Sequence, residues 1–121
     1  GSEAFINHNV KDFFDPKLVE HFKSIYRVQM KYKGFMRAML SSVRNGMLDS
    51  FIDVYRRVGK LGIPVLLFWG RNDETVPLEH SDDICAAIPR LEFHLIENCG
   101  HIPHYERPAE VNPLLLEFLR K

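Results

Sequence analysis

The stretch that decides the fold is IPVLLFWGRNDETVP, residues 63–77. Its first part, residues 63–69, is an uninterrupted apolar run bounded by Gly62 and Gly70, with a proline near its start. Such a run is typical of a strand that is covered on both faces, as in a parallel sheet. The polar residues that follow predict a loop at the carboxyl end of this strand.

The remainder of the chain repeats this pattern. An amphipathic helix is predicted over residues 78–87, and Pro89 ends it. The alternating stretch LEFHLIE, residues 91–97, predicts a second strand. A terminal helix is expected over residues 109–121, in which Pro113 either introduces a kink or starts the main body. Strand, helix, strand and helix in this order predict an α/β fold with two parallel strands.

The part of the chain before residue 63 is helical in pattern. A first helix is predicted over residues 15–30, with Asp15 as N-cap and Pro16 at its first position. A second is predicted over residues 34–46 and a third over residues 48–62. Their inward-facing residues are expected to include Leu40, Val43, Leu48, Phe51, Ile52, Tyr55 and Val58.

Composition excludes several classes of protein. The chain is 45% hydrophobic and 26% charged with zero net charge, which is typical of a globular protein and argues against general nucleic-acid binding. It contains no apolar run approaching the roughly 20 residues of a membrane span, and no secretory signal is visible. Two cysteines, Cys85 and Cys99, predict reduced thiols, so we expect a cytoplasmic protein.

The residues that carry chemistry follow the two strands. Asp73 lies just after the first strand, and His101 lies just after the second, in the stretch ENCGHIPHYERP, residues 97–108. Because the carboxyl ends of parallel strands meet at one edge of a sheet, we expect the two side chains to lie together. A carboxylate bound to an imidazole fixes its tautomer and stabilises its protonated form, which leaves the other ring nitrogen as a general base.

The same stretch contains a Cys-x-His-x-x-His pattern formed by Cys99, His101 and His104. Structural zinc sites use paired ligands at other spacings. We therefore expect no metal and no cofactor, with Cys99 as a neighbour of His101 and His104 as a pocket-rim or structural residue.

From residue 63 to the end, the sequence resembles the C-terminal part of the α/β-hydrolase superfamily. The similarity rests on a G-x-x-D-x-x-x-P loop after the first strand, a Gly-His turn after the second, and Glu-Arg-Pro before the last helix. The resemblance implies that Asp73 is the acid and His101 the base of a catalytic triad, in the chain order of that family. It also implies a helical cap over residues 1–62 and the C-terminal part of the hydrolase core over residues 63–121.

No G-x-S-x-G motif occurs in the sequence, and no serine lies at a strand-to-helix turn. We therefore expect this chain to be a fragment that lacks the nucleophile and the oxyanion loop, and to be inactive alone. Its first strand should be an interior strand of a larger sheet. We expect the fragment to self-associate, by pairing of the free strand edge or by exchange of the cap.

The predicted function of the full-length protein is hydrolysis of a small apolar or amphipathic substrate, with carboxylesterase or lipase-like chemistry as the first expectation. A nucleophile elsewhere would attack the substrate, His101 would accept its proton and then activate water, and Asp73 would orient His101. The alternatives are a carbon–carbon, epoxide or haloalkane hydrolase of the same fold. A protein of this fold that binds a ligand without catalysis is a further alternative.

Overall fold

The computed structural model describes residues 2–121. Its helices and strands follow the order predicted for an α/β fold, and three short helical elements, at residues 2–9, 10–12 and 103–106, were not predicted. The elements are α1 (Ser2–Asn9), a 3-10 turn (Val10–Asp12), α2 (Pro16–Gln29), α3 (Phe35–Arg44), α4 (Ile52–Lys60), β1 (Leu66–Gly70), α5 (His80–Ala87), β2 (Glu92–Ile96), α6 (Pro103–Glu106) and α7 (Pro108–Leu119).

The two strands pair in parallel, as the sequence predicted. The register aligns Leu66 with Glu92 at one end and Gly70 with Ile96 at the other. The carboxyl ends of both strands therefore lie side by side, and the loops that carry the candidate site leave from this edge. The backbone amide of Arg71 continues the pairing by donating to the carbonyl of Ile96 at 2.9 Å.

The core of the described residues is small and lies behind these loops. Ile96, Cys99 and Val111 are buried together, with Phe68 and Leu114 packed against them. The core thus joins the end of β2 to the terminal helix α7. Because it includes Cys99, the turn that leads to His101 is anchored at its base.

The helical segments agree with the sequence in part. Asp15 caps α2 as predicted, since its carboxylate accepts a hydrogen bond from the amide of Lys17. The third helix was predicted from residue 48, but it begins at Ile52, and Leu48 lies before it with 76% of its surface exposed. Leu40 and Val43 were expected to face inward, yet they are about half exposed because the described residues leave that side of α3 uncovered.

The C-terminal helix excludes one of the two roles expected for Pro113, that of starting the main body of the helix. It runs from Pro108 through Pro113 to Leu119, so Pro113 does not start it. As the sixth residue of this helix, Pro113 has no amide to donate to the carbonyl of Ala109, so the helix lacks one hydrogen bond there. None of the helices within residues 2–121 combines the length and the apolar character that crossing a membrane requires.

The beginning of the chain packs directly onto the loops at the strand ends. The carbonyl of Asp12 accepts a hydrogen bond from the amide of His101 at 2.7 Å. Phe13, which is buried, contacts the rings of Phe22 and Tyr105 at centroid distances of 4.9 and 5.8 Å. Part of the helical region therefore forms one face of the candidate site.

Candidate functional site

Asp73 and His101 lie together at the carboxyl ends of β1 and β2. Nδ1 of His101 is 2.8 Å from Oδ2 of Asp73, which is a hydrogen-bonding distance. The side chain of Asp73 is 5% exposed and that of His101 is 38% exposed. The carboxylate is thus withdrawn from solvent, whereas the imidazole remains accessible.

The second oxygen of Asp73 holds the carboxylate in place. Oδ1 accepts hydrogen bonds from the backbone amides of Thr75 at 2.9 Å and Val76 at 2.8 Å. The loop is further fixed by Trp69, whose indole N–H donates to the carbonyl of Val76 at 3.1 Å. Three hydrogen bonds to one carboxylate leave its orientation little freedom. Because one oxygen is already occupied by two amides, the other faces His101.

Close backbone packing positions the turn that carries His101. A Cβ atom added to Gly70 would lie 1.9 Å from the carbonyl oxygen of Gly100, so the end of β1 approaches this turn without room for a side chain. The two loops are also hydrogen-bonded, since the amide of Asn72 donates to the carbonyl of Cys99 at 2.9 Å. Gly70 is therefore required by this close approach, and Gly100 by another, since a Cβ atom there would lie 2.4 Å from the carbonyl oxygen of Asp12.

Outside this contact, an ion pair connects the same two loops at the surface. The guanidinium of Arg71 donates two hydrogen bonds to the carboxylate of Glu97, at 2.6 and 2.7 Å. This pair holds the pKa of the Glu97 carboxyl below its usual value. An exposed pair contributes little to stability, although its two-point geometry adds to the alignment of the loops.

A groove of about 660 Å³ opens beside the Asp73–His101 pair and includes both residues in its wall. Its apolar lining consists of Met47, Leu48, Phe51, Ile52, Tyr55, Leu67, Phe68, Trp69, Val76, Ile84 and Pro103. Its other lining residues are Asp49, Ser50, Gly70, Asp73, His80, Asp83 and His101. No lysine or arginine is among the lining residues that the structure describes. The groove therefore suits an apolar group and offers no fixed positive charge to an anion.

The other residues of the Cys-x-His-x-x-His pattern have different surroundings. Cys99 is fully buried, and burial, reinforced by the nearby Glu106 carboxylate, raises the pKa of its thiol to about 12. His104 lies exposed on α6. Within residues 2–121 no group of three or more His, Cys, Asp or Glu side chains is arranged to hold a metal ion.

Sequence reasoning missed two contributors to the site, Asp12 and Glu106. Asp12 contacts the site through its backbone carbonyl and through its carboxylate, which accepts a hydrogen bond from the hydroxyl of Thr75. Glu106 is buried and accepts a hydrogen bond from the amide of Gly100. The Glu-Arg-Pro motif marked Glu106, but only as the start of the last helix, and nothing in the local sequence marked Asp12.

The curated relatives that the chain matches are hydrolases. A hydrolase of Pseudomonas putida named for 2-hydroxy-6-oxononadienedioate and 2-hydroxy-6-oxononatrienedioate is 37% identical over 70 residues. The 2-hydroxy-6-oxo-6-phenylhexa-2,4-dienoate hydrolase of Comamonas testosteroni is 34% identical over 86 residues, which are 71% of this chain. In these alignments the chain spans 24% and 30% of the relatives' lengths.

Among solved structures, a mutant of the meta-cleavage product hydrolase CumD superposes with a TM-score of 0.80 at 24% identity. That superposition covers 99% of this chain and 46% of CumD, and at this identity it shows a shared fold alone. The model of the alpha/beta hydrolase fold family matches residues 8–108. On the strength of that match, which includes both strands, Asp73 and His101, the chain belongs to the α/β-hydrolase fold family.

Proposed function

We propose that this chain supplies the acid and the general base of a longer hydrolase that breaks a carbon–carbon bond in a 2-hydroxy-6-oxo-dienoate. The observation that carries the proposal is the hydrogen bond between His101 and the buried Asp73 at the wall of the groove. The similarity to hydrolases named for compounds of this type supports the choice of substrate.

The reaction type follows from the chemistry of those compounds. Their names describe an enol, a ketone and one or two carboxylates, with no ester or amide bond. A hydrolase acting on such a compound must therefore break the bond between the ketone carbon and its neighbour. The ketone carbon gains the oxygen of water and becomes a carboxylate, while the neighbouring carbon gains a proton. Carbon–carbon hydrolysis thus replaces the carboxylesterase chemistry that we expected first.

In this proposal His101 transfers the protons and Asp73 orients it. Asp73 holds the proton on Nδ1 of His101, so Nε2 carries a free lone pair. Nε2 accepts a proton from the attacking hydroxyl, which belongs to water or to a nucleophile outside this chain, and later returns a proton to the reaction. The Asp73 carboxylate stabilises the imidazolium in between.

The groove favours an apolar substituent on the ketone. Its wall is mostly aliphatic and aromatic, and Asp49 and Asp83 would repel a second carboxylate. We therefore propose a substrate with a phenyl-like or alkyl group at this position. Residues 1–62 would act as the cap over the groove, and residues 63–121 as the part of the core that holds the pair.

A chimera tests the proposed reaction. The segment of the Comamonas testosteroni hydrolase that aligns with this chain is replaced by this chain, which leaves the rest of that enzyme to provide the missing parts. We expect the chimera to hydrolyse 2-hydroxy-6-oxo-6-phenylhexa-2,4-dienoate faster than 2-hydroxy-6-oxononadienedioate. The loss of dienol absorbance measures both rates. The His101→Ala chimera is the inactive control.

The outcome also separates the alternatives. A folded chimera that hydrolyses a p-nitrophenyl ester but not the dienoate would favour carboxylesterase chemistry. A folded chimera that hydrolyses neither, yet binds the dienoate, would favour a binding protein.

We also propose that the chain alone self-associates. Among residues 2–121, β1 pairs with β2 and with no second strand, so its other edge keeps free backbone groups. Such an edge recruits another strand. Light scattering should show mass increasing with concentration, and Leu67→Lys, which places a charge on the edge strand, should reduce the effect. A monodisperse monomer at high concentration would contradict the proposal.

A further inference from the structure

Glu106 is a buried carboxylate that has no part in the proposed proton transfers. It is 8% exposed and lies at the end of α6. A buried carboxylate is costly unless its oxygens accept hydrogen bonds. Both oxygens of Glu106 do so, and both donors are backbone amides, one six residues and the other 91 residues away in the chain.

The two donors connect the histidine turn with the helical region. Oε1 accepts from the amide of Gly100, which immediately precedes His101, at 2.5 Å. Oε2 accepts from the amide of Asp15, the N-cap of α2, at 2.6 Å. The carboxylate thus connects the histidine turn with the start of α2, two segments that are far apart in the chain.

The histidine turn is confined on its other sides as well. A Cβ atom on Gly100 would lie 2.4 Å from the carbonyl oxygen of Asp12, so this backbone packs directly against the turn. The same carbonyl accepts the amide of His101. The conformation that presents Nδ1 of His101 to Asp73 therefore depends on the position of residues 12–15. Glu106 holds that position through its hydrogen bond to the amide of Asp15.

We propose that Glu106 is a positioning residue that clamps the amides of Gly100 and Asp15 and thereby keeps His101 aligned with Asp73. The functional meaning of this clamp rests on the proposed role of His101. Its test measures the hydrogen bond itself, so a failure of the clamp and an absence of hydrolase activity are separate outcomes.

The test uses Glu106→Gln in the 121-residue chain. Glutamine has one acceptor oxygen, so one of the two amides would face an NH₂ donor and lose its partner. The control is Glu110→Gln, which removes the same charge from an exposed position four residues further on. Imidazole ¹⁵N–¹H NMR spectra report the proton on Nδ1 of His101 and its exchange with water.

We expect this exchange to accelerate about tenfold or more in Glu106→Gln, as an unpaired buried amide implies, and to be unchanged in Glu110→Gln. A purely structural role would lower the unfolding temperature without changing the Nδ1 proton in the folded state. A folded Glu106→Gln protein with unchanged exchange would overturn the proposal.

A second pair of variants decides the matter if Glu106→Gln does not fold. Asp15→Pro and Asp15→Ala both remove the side-chain cap of α2, but only proline also removes the amide that donates to Glu106. The φ angle of −84° at Asp15 is close to that of proline. Faster exchange of the Nδ1 proton in Asp15→Pro than in Asp15→Ala would support the clamp, and equal rates would overturn it.

Discussion

Replacement of Asp73 by asparagine should invert the hydrogen bond to His101 while preserving the loop. Oδ1 of Asp73 accepts two backbone amides, from Thr75 and Val76. The single oxygen of asparagine must keep those two bonds, because its NH₂ group cannot accept them. The NH₂ group then faces Nδ1 of His101 and donates to it. The proton of the imidazole consequently moves to Nε2, which can no longer act as a base.

The expected loss of activity is large. In triads of this kind, the exchange of the acid for its amide lowers kcat by about 10⁴-fold through the wrong tautomer. This factor corresponds to about 5.4 kcal/mol of transition-state stabilisation, at about 1.36 kcal/mol for each tenfold change. The free energy of unfolding should fall by only about 1–2 kcal/mol, since the two amide bonds survive and one charge-assisted bond is weakened.

Two measurements test this prediction. Turnover of 2-hydroxy-6-oxo-6-phenylhexa-2,4-dienoate is compared between the chimera and its Asp73→Asn variant, and imidazole NMR of the 121-residue chain identifies the protonated nitrogen. Asp83→Asn is the matched control, because Asp83 lines the same groove and its substitution removes the same charge. Activity within tenfold of the parent, or a proton that stays on Nδ1 in Asp73→Asn, would refute the reasoning.

Four further predictions concern the chain itself. Gly70→Ala should lower the free energy of unfolding by about 3 kcal/mol, because its Cβ overlaps the Gly100 carbonyl. Gly34→Ala, where space is open but φ is 93°, should lower it by about 1–2 kcal/mol. Equal losses in urea denaturation would contradict the clash. At pH 8 iodoacetamide should label Cys85, which is half-buried, well before Cys99, and mass spectrometry of the peptides checks this. Burial raises the pKa of Cys99 in the folded state to about 12. The stability that the protonated thiol contributes below about pH 9 should therefore be lost as pH rises towards 12, at up to about 1.4 kcal/mol per pH unit. Cys99→Ala should remove this dependence on pH. The 121-residue chain alone should show no turnover of the dienoate, and a rate that persists through purification and disappears in His101→Ala would contradict this.

The strands and the approximate site were accessible from the sequence. Residues 63–69 and 91–97 had the hydrophobic patterns of strands. In the structure β2 lies within the second range, whereas β1 starts three residues later than predicted and ends one residue later, at Gly70. The start of β1 was placed too early because an apolar run does not show where backbone pairing begins. Ile63 is exposed, and Pro64 has no amide to donate.

The helical region was less well predicted from the sequence. The N-cap of α2 was recognised because Asp15 and Pro16 form a local signal that needs no tertiary partner. The burial of Leu40 and Leu48 was overestimated because the period of a helix shows which side is apolar, not whether another element covers it. Helix α1 was missed because its apolar residues have no clear helical period.

The sequence by itself determined which two side chains meet. Asp73 and His101 each follow a strand, and parallel pairing brings the ends of both strands to one edge. Tertiary structure alone decided how His101 is held. Glu106 and the amide of Asp15 are 91 residues apart in the chain. Because nearly every residue carries a backbone amide, no sequence pattern marks which two of them a buried carboxylate accepts, and only the docking of α2 against the histidine turn selects them.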